Sequence, residues 1–194
     1  SEQVRVSGTV GGNIANGSPI GDLPPALIAL GATLELRKGE RVRTLPLEDF
    51  FLAYRKQDRE PGEYVRRVVV PRPGPGDHVR AYKVSKRRDE DISSTLGAFL
   101  LETESGNVKA IRIAYGGMAA TPKRALAVEA ALTGKPWTEA TVEAALGAYA
   151  TDFSPLTDMR ATADYRALAA RNLLVRFHAE TTGTKEPVQV SRAA

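Results

Sequence analysis

Gly8-Thr9-Val10-Gly11-Gly12-Asn13-Ile14-Ala15-Asn16-Gly17-Ser18-Pro19-Ile20-Gly21-Asp22 is the stretch on which the reading of this chain turns. Gly8, Gly11, Gly12, Gly17 and Gly21 crowd a segment between an alternating run at residues 4–10, which reads as a strand, and a helix start at Asp22. Glycine lets backbone approach a ligand closely and adopt positive φ. Successive backbone N–H groups in such a loop form a concave anion site. Thr9, Asn13, Asn16 and Ser18 add neutral donors, and Asp22 is placed to accept from a sugar hydroxyl. Together these groups suit a pyrophosphate and a ribose, with no lysine required. The run is not G-x-x-x-x-G-K-[ST], so it is not a P-loop, and its spacing is not G-x-G-x-x-G. On the residues alone, a glycine-rich turn with no ligand is an equal reading.

Outward from this loop, Asp22 is expected to cap a short helix over residues 23–30, with prolines in its first turn. Residues 33–37 and 42–47 alternate like a hairpin, with Lys38-Gly39-Glu40 near the turn. Residues 64–70 read as a strand closed by Pro71, and residues 71–76, rich in Pro and Gly, read as a boundary. Beyond Asp77, residues 79–85, 97–102 and 108–115 read as an antiparallel sheet. Thr121-Pro122 reads as the start of a helix to about Leu132, and Thr138 opens another to about Tyr149. A third helix spans residues 161–179, with Tyr165, Leu168, Ala169, Leu173 and Phe177 at helical spacing. The polar tail from Thr181 is expected to be disordered. Strands followed by helices give an α+β fold in two regions, residues 1–73 and 77–194.

The chain has 194 residues, of which 42% are hydrophobic and 26% charged, enough for a buried core. No apolar run approaches the ~20 residues of a membrane helix, and Ser1-Glu2-Gln3-Val4-Arg5 lacks a signal-peptide core. Cysteine is absent, which excludes disulfides and any cysteine-held iron–sulfur cluster within the chain. A cytoplasmic protein is the expectation. The net charge of +4 is weak support for nucleic acid, and the densest basic cluster, Lys83, Lys86, Arg87 and Arg88, is cancelled by Asp89, Glu90 and Asp91. By itself that segment reads as a solvated charge run. His78 and His178 lack partners at metal-ligand spacing and read as surface histidines. Ser18 has no nucleophile-elbow context. Arg160, Arg166, Arg171 and Arg176 fall on different sides of one helix, and Trp137 is expected to cover a helix joint.

Residues 9–22, with Ser18-Pro19 inside, resemble the second flavin-binding motif of the molybdenum hydroxylase flavoproteins in its xanthine dehydrogenase form. The carbon monoxide dehydrogenase medium subunit is similar but tends to carry Asp-Pro there. Further stretches resemble the bacterial small subunit of that family. They are Phe51-Leu52-Ala53-Tyr54-Arg55-Lys56-Gln57, Lys83-Val84-Ser85-Lys86-Arg87-Arg88-Asp89-Glu90-Asp91-Ile92 and Ala114-Tyr115-Gly116-Gly117-Met118-Ala119. Pro122-Lys123-Arg124-Ala125 and Ser154-Pro155-Leu156-Thr157-Asp158-Met159-Arg160-Ala161, with Tyr165-Arg166, match as well. The resemblance runs in order along nearly the whole chain.

It implies the latter half of a vanillyl-alcohol-oxidase or PCMH-type FAD-binding domain at residues 1–73. A smaller domain like the C-terminal domain of CO dehydrogenase flavoproteins would follow at residues 77–194. The implied cofactor is FAD, with 2Fe-2S clusters and molybdopterin on other segments or subunits. Gly8, Thr9, Val10, Gly11, Gly12 and Asn13 would line the FAD pyrophosphate, and Asn16 and Asp22 would complete that pocket. Val65 would approach the flavin through its backbone, and Lys83 would contact FAD. Residues 84–91, with Arg87, Glu90 and Asp91, would shape access for NAD, with Glu90 standing where the family often has Asp. The implied activity is electron transfer from iron–sulfur clusters through FAD to NAD during purine hydroxylation. Hydride transfer from a flavin needs no side-chain acid, base or nucleophile, so no catalytic residue is implied. The implied partners are an upstream flavin half with its own glycine loop, an iron–sulfur domain and a molybdenum-binding large subunit, making a hetero-oligomer. Neither nucleic acid nor membrane is an expected partner. Residue 1 corresponds to a point partway through the flavin domain, so the chain is expected to be a fragment that is inactive alone. Two alternatives stay open: a related hydroxylase acting on an aldehyde, another heterocycle or CO, and a non-enzymatic interaction module.

Overall fold

The computed structural model describes residues 2–88 and 90–183. It opens with two short helices, α1 (Glu2–Ser7) and α2 (Val10–Ala15), then α3 (Leu23–Ala29). Strands β1 (Thr33–Lys38) and β2 (Arg41–Pro46) form the expected hairpin. A 3-10 turn at Leu47–Phe50 leads to β3 (Phe51–Ala53), β4 (Lys56–Gln57) and β5 (Tyr64–Val69). The first sheet has the order β2-β1-β5, so β5 is an edge strand. Beyond it lie β6 (His78–Val84), β7 (Thr95–Glu104), β8 (Asn107–Gly116) and β9 (Lys123–Arg124), an antiparallel sheet in sequential order. Helices α4 (Leu126–Leu132), α5 (Glu139–Ala145), α6 (Tyr149–Asp152) and α7 (Ala163–Thr181) follow, with a 3-10 turn at Leu146–Ala148 between α5 and α6. The fold is α+β, with α1 to α3 before the strands and α4 to α7 after them.

The pleat of β7 explains the packing. Successive side chains of a strand point to opposite faces. Phe99 and Leu101 join Ile111, Ile113 and Tyr115 of β8 in a core closed by α4 to α7. Leu96 and Ala98, on the other face, join Ala114 in a second core with Leu27 and Ile28 of α3 and Leu34 and Leu36 of β1. The four-stranded sheet is therefore covered on both faces. Arg112 of β8 reinforces the second contact by donating to the Ile28 carbonyl at 2.8 Å and the Ala29 carbonyl at 3.2 Å. Both carbonyls lie in the last turn of α3, and that of Ile28 also accepts from the Gly31 N–H at 3.0 Å.

Several expectations are corrected. Residues 4–10 are not a strand: they belong to α1 and the start of α2. Their alternation has no partner strand, and Val6 and Val10 are exposed. Thr9 directs the chain into α2, its Oγ1 accepting from the Gly12 N–H at 3.0 Å. Thr121-Pro122 does not start a helix. Lys123 and Arg124 pair instead with Tyr115 and Ala114, and the Ala125 N–H still bonds to Ile113 at 2.8 Å, which delays α4 to Leu126. The helix capped by Thr138 ends at Ala145 rather than near Tyr149. On α7 the buried face is Arg166, Ala170, Leu173, Leu174, Phe177 and His178, while Tyr165 and Leu168 are exposed. His178 is thus a core residue, its ring 5.1 Å from that of Trp137. Trp137 caps this core and donates from Nε1 to Thr181 at 2.9 Å, so Thr181 is the end of α7 rather than of a tail. The rest of the expected tail, residues 184–194, lies outside the described residues.

Candidate functional site

The glycine loop folds as a helix and a turn rather than as an open loop. A six-residue helix is marginal alone. α2 is held by Ile14, fully buried in the second core, a contribution of about 2–3 kcal/mol. Its first turn lies over β5: a Cβ built on Gly11 would sit 3.6 Å from the Val65 carbonyl oxygen. A Cβ on Gly12 would come within 2.7 Å of Thr9 Oγ1 and crowd the cap. Past α2, Gly17 has φ of 62° and carries its backbone against the Gln57 side chain. Only glycine takes that conformation without strain. Ser18 Oγ then accepts from the Ile20 N–H at 3.3 Å, and the Pro19 carbonyl accepts from the Gly117 N–H at 2.8 Å. The turn is docked onto the corner after β8.

Two groups of the expected residues emerge. Thr9, Gly11, Gly12 and Val65 line one groove of about 390 Å³, together with Ala15, Arg59 and Tyr64. Gly8, Val10, Asn13 and Asn16 lie on the exposed surface beside it and are not among its lining residues. Arg59 and Tyr64 were not legible in the sequence. Arg59 comes from the segment between β4 and β5 and Tyr64 from the start of β5, and no spacing rule links them to the loop. Backbone N–H groups in a first helical turn and a guanidinium together make the groove suited to an anion.

The second group centres on Asp22. Its carboxylate does not cap α3. It accepts from Lys83 Nζ at 2.7 Å and from the hydroxyl of buried Ser93. These two donors explain the missing cap. Lys83 Nζ also donates to the Asp91 carbonyl at 2.5 Å, and Asp91 accepts from the Arg87 N–H at 2.9 Å. The Arg87 guanidinium reaches the Glu90 carbonyl at 3.3 Å and the Asp91 carboxylate at 3.4 Å. The Arg87 backbone N–H, then the Arg87 guanidinium, hold the Asp91 carboxyl below its ordinary range. The basic–acidic run is therefore a folded turn, closed on itself, with Asp89 outside the described residues. Lys86 Nζ ties this turn to the Met159 carbonyl at 2.9 Å.

Beneath both lies Arg166, 2% exposed, which sequence reading placed merely on one side of a helix. Its guanidinium donates to Asp158 Oδ1 at 2.7 Å, to the Gly117 carbonyl at 3.1 Å and to the Ser94 carbonyl. It thereby fixes the backbone next to Ser93 and next to the Pro19 contact. Among the described residues no group of three His, Cys, Asp or Glu could hold a metal ion.

Known proteins resemble this chain in sequence and in fold. Residues 1–73 match the FAD binding domain in molybdopterin dehydrogenase, and residues 80–181 match the CO dehydrogenase flavoprotein C-terminal domain. The nicotinate hydroxylase of Emericella nidulans is 35% identical over 182 residues, which is 90% of this chain and 14% of that protein. The xanthine dehydrogenase of Oryza sativa subsp. japonica is 39% identical over 140 residues, 70% of this chain and 10% of that protein. A carbon monoxide dehydrogenase structure from Hydrogenophaga pseudoflava superposes with a TM-score of 0.85 at 36% identity, covering 91% of this chain and 61% of that chain. This chain thus spans only a part of the length of the proteins it matches. With one family model on each side of the boundary, the chain belongs to the flavoproteins of the molybdenum hydroxylase family, whose cofactor is FAD.

Proposed function

We propose that this chain is the FAD-binding, electron-transfer part of a xanthine dehydrogenase, serving purine hydroxylation with NAD as acceptor. Residues 1–73 would be the second part of the FAD-binding domain and residues 77–194 the C-terminal domain. The groove at α2 and β5 is the observation that carries the FAD-binding part of this reading, and the likeness to xanthine dehydrogenases supports the rest. The groove is lined by the glycine backbone of Gly11 and Gly12, with a cation at its wall, and so it fits a diphosphate. Thr9, Gly11 and Gly12 would hold that diphosphate through backbone and hydroxyl groups, with Gly8, Val10, Asn13 and Asn16 flanking it. Val65 would meet the flavin side, and Asp22 would serve the ribose side while Lys83 and Ser93 hold its carboxylate in place. The turn at Arg87, Glu90 and Asp91 would shape the approach of NAD. When bound, FAD would supply the chemistry that takes electrons singly from iron–sulfur clusters and delivers them in pairs, as hydride, to NAD. The protein's residues bind and orient it. The molybdenum-binding subunit and the iron–sulfur domain would be partners in a hetero-oligomer in the cytoplasm. No helix among the described residues is long and apolar enough to cross a membrane.

Likeness to a nicotinate hydroxylase over 90% of the chain favours a second reading, in which the same flavoprotein serves another heterocycle. The assembled enzyme that contains this chain separates the two readings. Flavin absorption, release of FAD on denaturation and NAD reduction by xanthine are expected. Reduction by nicotinate but not xanthine would select the second reading. An assembled enzyme without flavin would sink both. Asp22→Ala in that enzyme is expected to lower FAD occupancy and slow NAD reduction together.

A further inference from the structure

Resting on the flavin reading, we infer that Arg59 is the cation that binds the FAD diphosphate in the α2–β5 groove, a role that neither its position nor any sequence pattern announces. Arg59 lines the groove with Thr9, Gly11 and Gly12. Among the described residues its guanidinium makes a single hydrogen bond, from Nη1 to the Glu63 carbonyl at 3.3 Å. A guanidinium has five N–H donors, so most of them remain for a ligand.

The acids around Arg59 are already committed. Glu63 is gripped by Arg43 through two bonds of 2.8 Å, and Asp58 by the same guanidinium at 2.9 Å. Glu60 is paired with Arg41 at 3.1 Å. Each carboxylate near Arg59 in sequence is thus neutralised by an arginine of β2, while Arg59 itself carries no carboxylate partner among the described residues. Glu63 also accepts from the Glu60 N–H at 2.7 Å, which fixes the turn that presents Arg59. The arrangement leaves one positive charge facing a groove floored by glycine backbone. A diphosphate is the part of FAD that such a charge recognises, whereas the isoalloxazine and ribityl groups offer it no anion.

The test compares the flavin-stripped assembled enzyme with its Arg59→Ala and Arg59→Lys variants, by titrating each with FAD and with riboflavin. Binding is followed by quenching of flavin fluorescence, and folding by thermal unfolding. Arg59→Ala is expected to bind FAD roughly 10-fold more weakly, the loss of one charge-assisted hydrogen bond. Its riboflavin binding and its unfolding temperature should be unchanged. Arg59→Lys should recover part of the affinity, and the salt dependence of FAD binding should be shallower in Arg59→Ala. Equal FAD affinity in wild type and Arg59→Ala would overturn the role of Arg59 and leave the flavin reading standing. Equal losses for FAD and riboflavin would likewise overturn it, by making the residue a prop for the groove. A wild-type enzyme that binds no FAD would overturn both.

Discussion

Arg166 and Glu63 are charged side chains placed where water hardly reaches, and each is tolerable only through its partners. Removing one member of a buried pair leaves the other unsatisfied, at about 3–5 kcal/mol. Arg166→Met keeps the bulk but strands the carbonyls of Ser94 and Gly117 and takes the guanidinium from Asp158, which keeps the N–H groups of Arg160 and Ala161. Asp158 retains some contact with solvent, so a loss of about 3 kcal/mol is expected, read as a lower urea midpoint at unchanged slope. Glu63 makes a pH-dependent contribution. Arg43, the largest influence, holds its carboxyl down to about 2 against an ordinary 4.5. A carboxyl with a depressed folded-state pKa binds protons more readily when unfolded, so its stabilisation is complete above 4.5 and lost as pH falls towards 2. Urea unfolding from pH 6 down to pH 3 should show wild-type stability declining below about 4.5, and Glu63→Gln should flatten that decline. These roles were invisible in the sequence for a simple reason. Arg166 meets its carbonyl partners across 72 and 49 residues, and Arg43 meets Glu63 across 20. Thr9 and Gly12, by contrast, act on neighbours and were legible as parts of a tight backbone segment.

Elements were legible where a local rule acts alone. The β1–β2 hairpin, β5, β6, β7, β8 and the Thr138 end of α5 follow from alternation and capping. Reading failed where a distant partner competes with the local rule. Residues 121–125 carry a helix-start pattern, yet hydrogen bonds to β8 hold them extended. Residues 4–10 alternate, yet no strand is available to pair with them among the described residues. The corner after β8 joins the sheet to the glycine turn. Gly117 there has φ of 80°, and a Cβ would press on the Ser94 carbonyl and stand 2.9 Å from Arg166 Nη1. Gly117→Ala should therefore cost about 1–3 kcal/mol from backbone strain alone, with steric displacement in addition. Thermal unfolding measures the loss. Gly147→Ala, with nothing near its Cβ and no positive φ, should leave the unfolding temperature close to wild type.

At the scale of the molecule, β7 and β8 serve two cores at once. Leu96, Ala98 and Ala114 pack with α3 and β1, while Phe99, Ile113 and Tyr115 pack with α7. Neither core can lose its wall without opening the other, so one cooperative transition is expected. The single tryptophan, Trp137, reports on the α7 side, and far-UV circular dichroism reports on all elements. Their urea transitions should coincide, and a separation would show that the two regions unfold independently. The alternation that builds this double wall was legible, but its two-sided burial was not, because a strand covered on both faces and a strand covered on one can carry the same short apolar run. The Asp22–Lys83 pair spans the same divide, with its carboxylate from the segment before α3 and its cation from β6. A chimera that exchanged everything after Pro73 between two such enzymes would keep Asp22 and import a foreign Lys83, Ser93 and Gly117. A graft at that point is therefore expected to keep its stability only where the incoming segment supplies partners for Asp22 and Pro19.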